Sequence, residues 1–154
     1  MTIKDLIFAF EVSQNQLEHF MEGITSEQAN QQTCGDGNPV NWILGHILSE
    51  RIEALETISA EALDIHLSDF QMYVTGSNPD PNSFLDYDSL LALIPKTFVL
   101  LTDTIKSLSI EKLDEIQEGT LLGKQHTLRQ ALITYALHEM YHIGQISVAR
   151  QGSE

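Results

Sequence analysis

His138 and His142 stand four residues apart in the stretch HEMYHIGQIS, with Glu139 directly after the first. On a helix that spacing brings two side chains within ~40° of each other, about 6 Å apart along the axis. Two imidazoles so placed can share one metal ion. With a glutamate between them they spell the helix of a zinc peptidase, in which the glutamate is the general base. Ala131, Leu132, Tyr135, Ile146 and Ala149 share the same broad face, so both rings should point into the protein. Buried imidazoles need partners for their nitrogens. Two core histidines with hydrogen bonds would meet that need, and so would a metal.

A metal would need a third ligand, and none follows His142. Upstream, His46 in NWILGHILSE sits at the edge of an apolar stripe, beside Ile43 and one turn before Glu50. Gly45 next to it allows close approach of another segment. A lone histidine there is also an ordinary structural residue, but three from two facing helices can make an open-sided site. Glu50 and Glu139 are candidates for proton transfer or for orienting a ligand ring; each could equally be a salt-bridged carboxylate. Trp42, Tyr135, Tyr141 and Gln145 are expected to line a pocket. His19, His66 and His126 read as surface residues, His126 nearest a site mouth. Cys34, a lone cysteine without a signature, reads as a bystander rather than a nucleophile.

These residues need helices to hold them, and the 3.6-residue period marks four. The first spans about residues 3–23. The second follows GDGNPVNW, with Asn38 as cap and Pro39 in its first turn, and runs to about Ile58. The third starts near Asp88 as cap and carries Leu91, Ile94, Phe98, Leu101, Ile105 and Leu108; Pro95 inside it predicts a kink or a late start. The fourth follows Thr127 as cap and runs to about Gln151. Short helical turns are expected at SEQA and over Ser109–Ile116. No stretch alternates as a strand would. The expected fold is an all-α four-helix bundle over a single domain, residues 1–154. Its second and third helices are joined by a long crossover connection through residues 59–87. Leu90, Leu93, Phe98 and Leu100 widen the apolar face of the third helix and suggest a homodimer.

The chain has 154 residues and a formal net charge of −14, from 22 acidic and 8 basic residues. So negative a surface repels phosphate backbones and anionic lipid, which argues against nucleic acid and membrane as partners. No apolar run approaches the ~20 residues of a membrane span. The first residues lack a signal peptide's unbroken apolar region. A single cysteine rules out an internal disulfide and suits a reducing compartment, so the cytoplasm is the expected location.

Together NWILGHILSE and HEMYHIGQISVAR resemble the two motifs of the DinB/YfiT-like superfamily of small four-helix-bundle metalloproteins. In the first, a bulky residue and a histidine sit four apart. In the second, a histidine pair precedes Gly-Gln-Ile. The polar segment TSEQANQQTCGDGNPVNW also fits, and the resemblance spans the whole chain. It implies His46, His138 and His142 as ligands of a divalent metal such as zinc or nickel. It also implies a thiol-dependent transferase or isomerase that uses bacillithiol, mycothiol or glutathione as co-substrate and acts on a small electrophile. Many members have no known activity. A metal-dependent hydrolase with Glu139 as base and a non-catalytic metal-binding bundle are the alternatives.

Overall fold

The structure, a computed structural model, describes residues 2–31, 37–58, 65–77 and 80–151. Cys34 lies outside them. The elements in chain order are α1 (Ile3–Met21), α2 (Ser26–Asn30), α3 (Val40–Ile58), α4 (Tyr87–Lys106), α5 (Ile110–Leu113) and α6 (Leu128–Gln151). Between α3 and α4 run two 3₁₀ segments, Leu67–Tyr73 and Pro81–Ser83. Among the described residues there is no strand, only isolated bridges in the loop that leads into α6.

Local chemistry sets the helix ends. Thr2 and Asp5 bond reciprocally across the first turn of α1. Thr127 and Gln130 do the same for α6, which starts where the sequence placed it. Two expectations shift by a residue or two. Pro39 stands just ahead of α3, its carbonyl accepting the Ile43 N–H at 3.0 Å. Asp86, rather than Asp88, caps α4, its carboxylate accepting the Ser89 N–H at 2.9 Å. Asp88 falls in the first turn, where a negative charge suits the helix dipole. Pro95 lies inside α4 and does not delay its start.

The direction of each helix follows from its core residues. One cluster takes Leu17 and Met21 from the end of α1, Val40 to Ile52 from the start of α3, Leu90 and Ile94 from the start of α4, and Ile143 and Ile146 from the end of α6. The other takes the opposite ends: Leu6 and Phe10, Leu55 and Ile58, Leu101 and Ile105, Leu128 and Leu132. Thus α1 and α6 point one way and α3 and α4 the other. In the bundle α1 packs beside α6 and α4, and α3 beside α4 and α6. Since α3 and α4 are parallel neighbours, the chain between them must return the full ~28 Å of a 19-residue helix. That is the long crossover the sequence predicted.

Leu90 of the expected dimer face is fully buried in the core, and Leu93 and Phe98 pack partly against it; Leu100 is exposed. No helix among the described residues is long and apolar enough to cross a membrane.

Candidate metal centre

The first half of α3 is covered on every side: all residues from Val40 to Ser49 are buried. α2 and the Leu67–Tyr73 segment close the face that the rest of the bundle leaves open. His46 is therefore interior, 1 % exposed, rather than at an edge. Its ring stacks on Trp42, with centroids 5.0 Å apart and planes 7° from parallel. Trp42 is itself buried, its Nε1–H donating to the Met72 carbonyl at 3.0 Å. From α6, His142 is buried and His138 half-buried.

The three rings meet through Nε2. That atom of His138 lies 3.2 Å from the one on His46 and 3.0 Å from the one on His142. Among the described residues these three form the group able to hold a metal ion. Ligands at ~2.05 Å from one ion sit about 3.3 Å apart in a tetrahedron and about 2.9 Å apart on an octahedral face. The observed separations fall between the two.

The outer nitrogens decide which way the lone pairs face. His46 Nδ1 is 2.7 Å from the Tyr73 carbonyl, which can only accept, so Nδ1 carries the proton and Nε2 is bare. His142 Nδ1 donates to Gln145 Oε1 at 2.8 Å, with the same result. A proton on His138 Nε2 could serve only one of its two neighbours well. A metal ion satisfies all three. Burial pushes the His46 imidazole below its usual pKa and that of His142 down to about 4, with the other histidines adding to the effect. At neutral pH those two rings are uncharged, as ligands must be.

Gly45 and Tyr73 hold His46 in place. A Cβ on Gly45 would overlap the Tyr73 ring. That ring is fully buried, its hydroxyl accepting the Leu85 N–H at 2.7 Å and donating to Asn41 Oδ1 at 3.1 Å. Burial raises its pKa to about 12, so it keeps its proton. We expect Gly45→Ala to displace Tyr73 and its carbonyl, weakening metal binding ~10–100-fold as loss of an outer partner does. Overpacking should cost a further ~1–3 kcal/mol of stability. Metal titration and thermal melting together check this; unchanged affinity would show that the carbonyl does not orient the ring.

The remaining expected residues divide. Glu50 Oε1 lies 3.7 Å from His46 Nε2. Burial, with help from Glu53, raises its carboxyl to about 7. Tyr141 is exposed, its ring 5.0 Å from His142, and its hydroxyl accepts from Gln145 Nε2 at 3.2 Å. Tyr135 is half-buried, its phenol pushed up to about 12 by burial and by the Glu53 carboxylate. His19 and His66 are exposed, and none of His19, His66 and His126 joins the metal group.

Glu139 has partners the sequence reading did not supply. It does face inward, in the buried register of Leu132, Ala136, Ile143 and Ile146. There it meets Arg51, 2 % exposed, whose Nε donates to Oε2 at 3.0 Å and whose Nη2 donates to Oε1. Ser13 also donates to Oε1, at 2.9 Å, and Arg51 Nη1 donates to the Ile94 carbonyl at 3.0 Å. One ion pair thus joins α1, α3, α4 and α6. Arg51 and Ser13 were missed. The signal for Arg51 was available: it occupies a core position between Ile47 and Leu55, four residues from each.

The comparisons with known proteins agree with this architecture. YfiT from Bacillus subtilis, described as a probable metal-dependent hydrolase with an unusual four-helix bundle topology, matches with a TM-score of 0.66 at 18% identity. The match covers 97% of this chain and 86% of that one, and at such identity it speaks for the fold. No curated protein matches the sequence. The family model of the DinB superfamily matches residues 9–146, a span that holds all three histidines, and the chain belongs to that superfamily.

Proposed function

We propose that this protein is a metal-dependent enzyme that transfers a low-molecular-weight thiol, of the bacillithiol, mycothiol or glutathione type, to a small electrophile. The observation that carries the reading is the convergence of three Nε2 atoms, two of them aimed by fixed partners. Three imidazoles suit zinc or nickel. A divalent ion held there supplies a Lewis acid that lowers the pKa of a thiol or water beside it. Glu50, its Oε1 3.7 Å from His46 Nε2, is placed to take the proton released from the thiol. The sulfur then attacks the electrophilic carbon, forming the S–C bond as the leaving group departs with its electron pair. The buried wall of Trp42 and Tyr73 keeps the His46 ring from turning away.

Glu139 is a poor choice of base, because Arg51 and Ser13 already occupy its oxygens. A hydrolase remains the second reading, with Glu50 in place of Glu139 as the group that accepts a proton from water. Both readings predict loss of activity in Glu50→Gln, so the assay must separate them by substrate. Zinc- or nickel-loaded protein should consume glutathione or bacillithiol with 1-chloro-2,4-dinitrobenzene at least about tenfold above background, a barrier reduction of ~1.4 kcal/mol or more. Metal-dependent cleavage of p-nitrophenyl acetate without thiol consumption would favour hydrolysis instead.

A further inference from the structure

Gly144 is a glycine without a local reason. It sits in the middle of α6, where glycine costs about 1 kcal/mol relative to alanine. Its backbone is not left-handed, and a Cβ built on it meets nothing within 4 Å. Gly45 makes the contrast, since there an aromatic ring occupies the space. What lies beside Gly144 is a cavity of about 320 Å³ between the start of α3 and the second half of α6. Its walls include Ile43, Tyr141, Gly144, Gln145, Val148 and Ala149.

Three features give the cavity a use. Its volume is at the lower end of the ~300–1,000 Å³ range of small-molecule sites. No charged residue lines it among the described residues, in a protein of net charge −14. Its polar wall residues are Asn38, Tyr141 and Gln145, and Gln145 is the side chain that accepts from His142 Nδ1. Tyr141 and Val148, one turn to either side of Gly144, expose 62 % and 67 % of their surface. They form the raised rims of a notch whose floor is the bare helix backbone. Exposed apolar side chains grouped around an uncharged hollow are the usual mark of a ligand surface.

We propose that this cavity seats a compact, uncharged apolar group of the substrate, and that Gly144 sets the size of the group admitted. The proposal rests on the site's acting on small molecules and names their class: neutral, with an alkyl or aryl group directed away from the three histidines. Ionic substrates find no countercharge among the described residues of its wall.

The test uses metal-loaded protein and the neutral fluorescent probe N-phenyl-1-naphthylamine. Wild type should bind it, and Gly144→Leu should weaken binding at least about tenfold, ~1.4 kcal/mol. Gly144→Ala should raise the melting temperature, as removal of a mid-helix glycine does. Val148→Asn, at an exposed rim position, should weaken the probe without affecting the fold. His138→Ala should leave probe binding intact, because His138 is not in the cavity wall. Gly144-dependent binding with no thiol consumption would support the cavity and sink only the transfer chemistry. Equal affinity in wild type and Gly144→Leu, or no binding to wild type, would overturn the inference.

Discussion

Arg51→Leu should lower the stability of the fold by about 3–5 kcal/mol, the usual consequence of stranding one member of a buried ion pair. Against the ~5–15 kcal/mol of a typical domain, that is a large share. Leucine fills much of the space, so the loss comes from charge: Glu139 would be left 3 % exposed with only the Ser13 hydroxyl as a donor. Adding Glu139→Leu to Arg51→Leu should recover most of the deficit, since the pair together stabilises less than its breakage destabilises. Urea denaturation of the four proteins in the cycle measures both effects. A wild-type midpoint for Arg51→Leu would show that the pair is solvated rather than buried. The same reasoning changes the meaning of Glu139→Gln. In a zinc peptidase that substitution removes the base. Here it leaves Arg51 facing a neutral amide, so lost activity must be compared with lost stability before any proton transfer is inferred.

His138→Ala should lose bound metal while keeping the fold. Its Nε2 lies within 3.2 Å of both others, so its removal leaves two imidazoles where an open-sided site needs three. The ring is half-buried and lies beside, not in, the apolar stripe of α6, so truncation creates little cavity. The affinity loss should exceed the ~10–100-fold expected for Gln145→Ala, which removes only the partner of His142 Nδ1. Metal content by plasma mass spectrometry, on protein purified without a histidine tag, gives the answer directly. One ion per chain retained in His138→Ala would place the metal elsewhere.

The histidine triad was legible because chemistry and period coincided. His138 and His142 announce themselves by spacing, and His46 by its place near an apolar stripe. The four helices and the crossover were legible for the same reason, since apolar residues repeat every three to four positions and a long unpatterned link separates two of them. The Tyr73 carbonyl was not legible, because a backbone acceptor has no letter in a sequence. The Arg51–Glu139 pair was half legible. Each charge breaks an apolar stripe, but the two lie 88 residues apart, and only packing reveals that they answer each other. The depth of His46 was misjudged because α3 is covered partly by the crossover, whose path no periodicity records. Trp42 reads as a pocket wall from its letter alone, and the structure makes it the plate on which His46 rests.

The order of helices around the bundle has a consequence for how the chain reaches this state. α6 comes last in the sequence, yet it lies between α1 and α3 in space. Until α6 is synthesised, Arg51 lacks Glu139, His46 lacks the other two histidines, and the faces of α1 and α3 that α6 covers stay bare. Local helices can form early, but the contacts that fix the structure join distant parts of the chain, and such topologies fold more slowly than bundles of sequence neighbours. A ribosome-bound chain that stops short of Leu128 therefore carries exposed apolar surface and an unneutralised arginine, a natural substrate for chaperones rather than a partly finished enzyme.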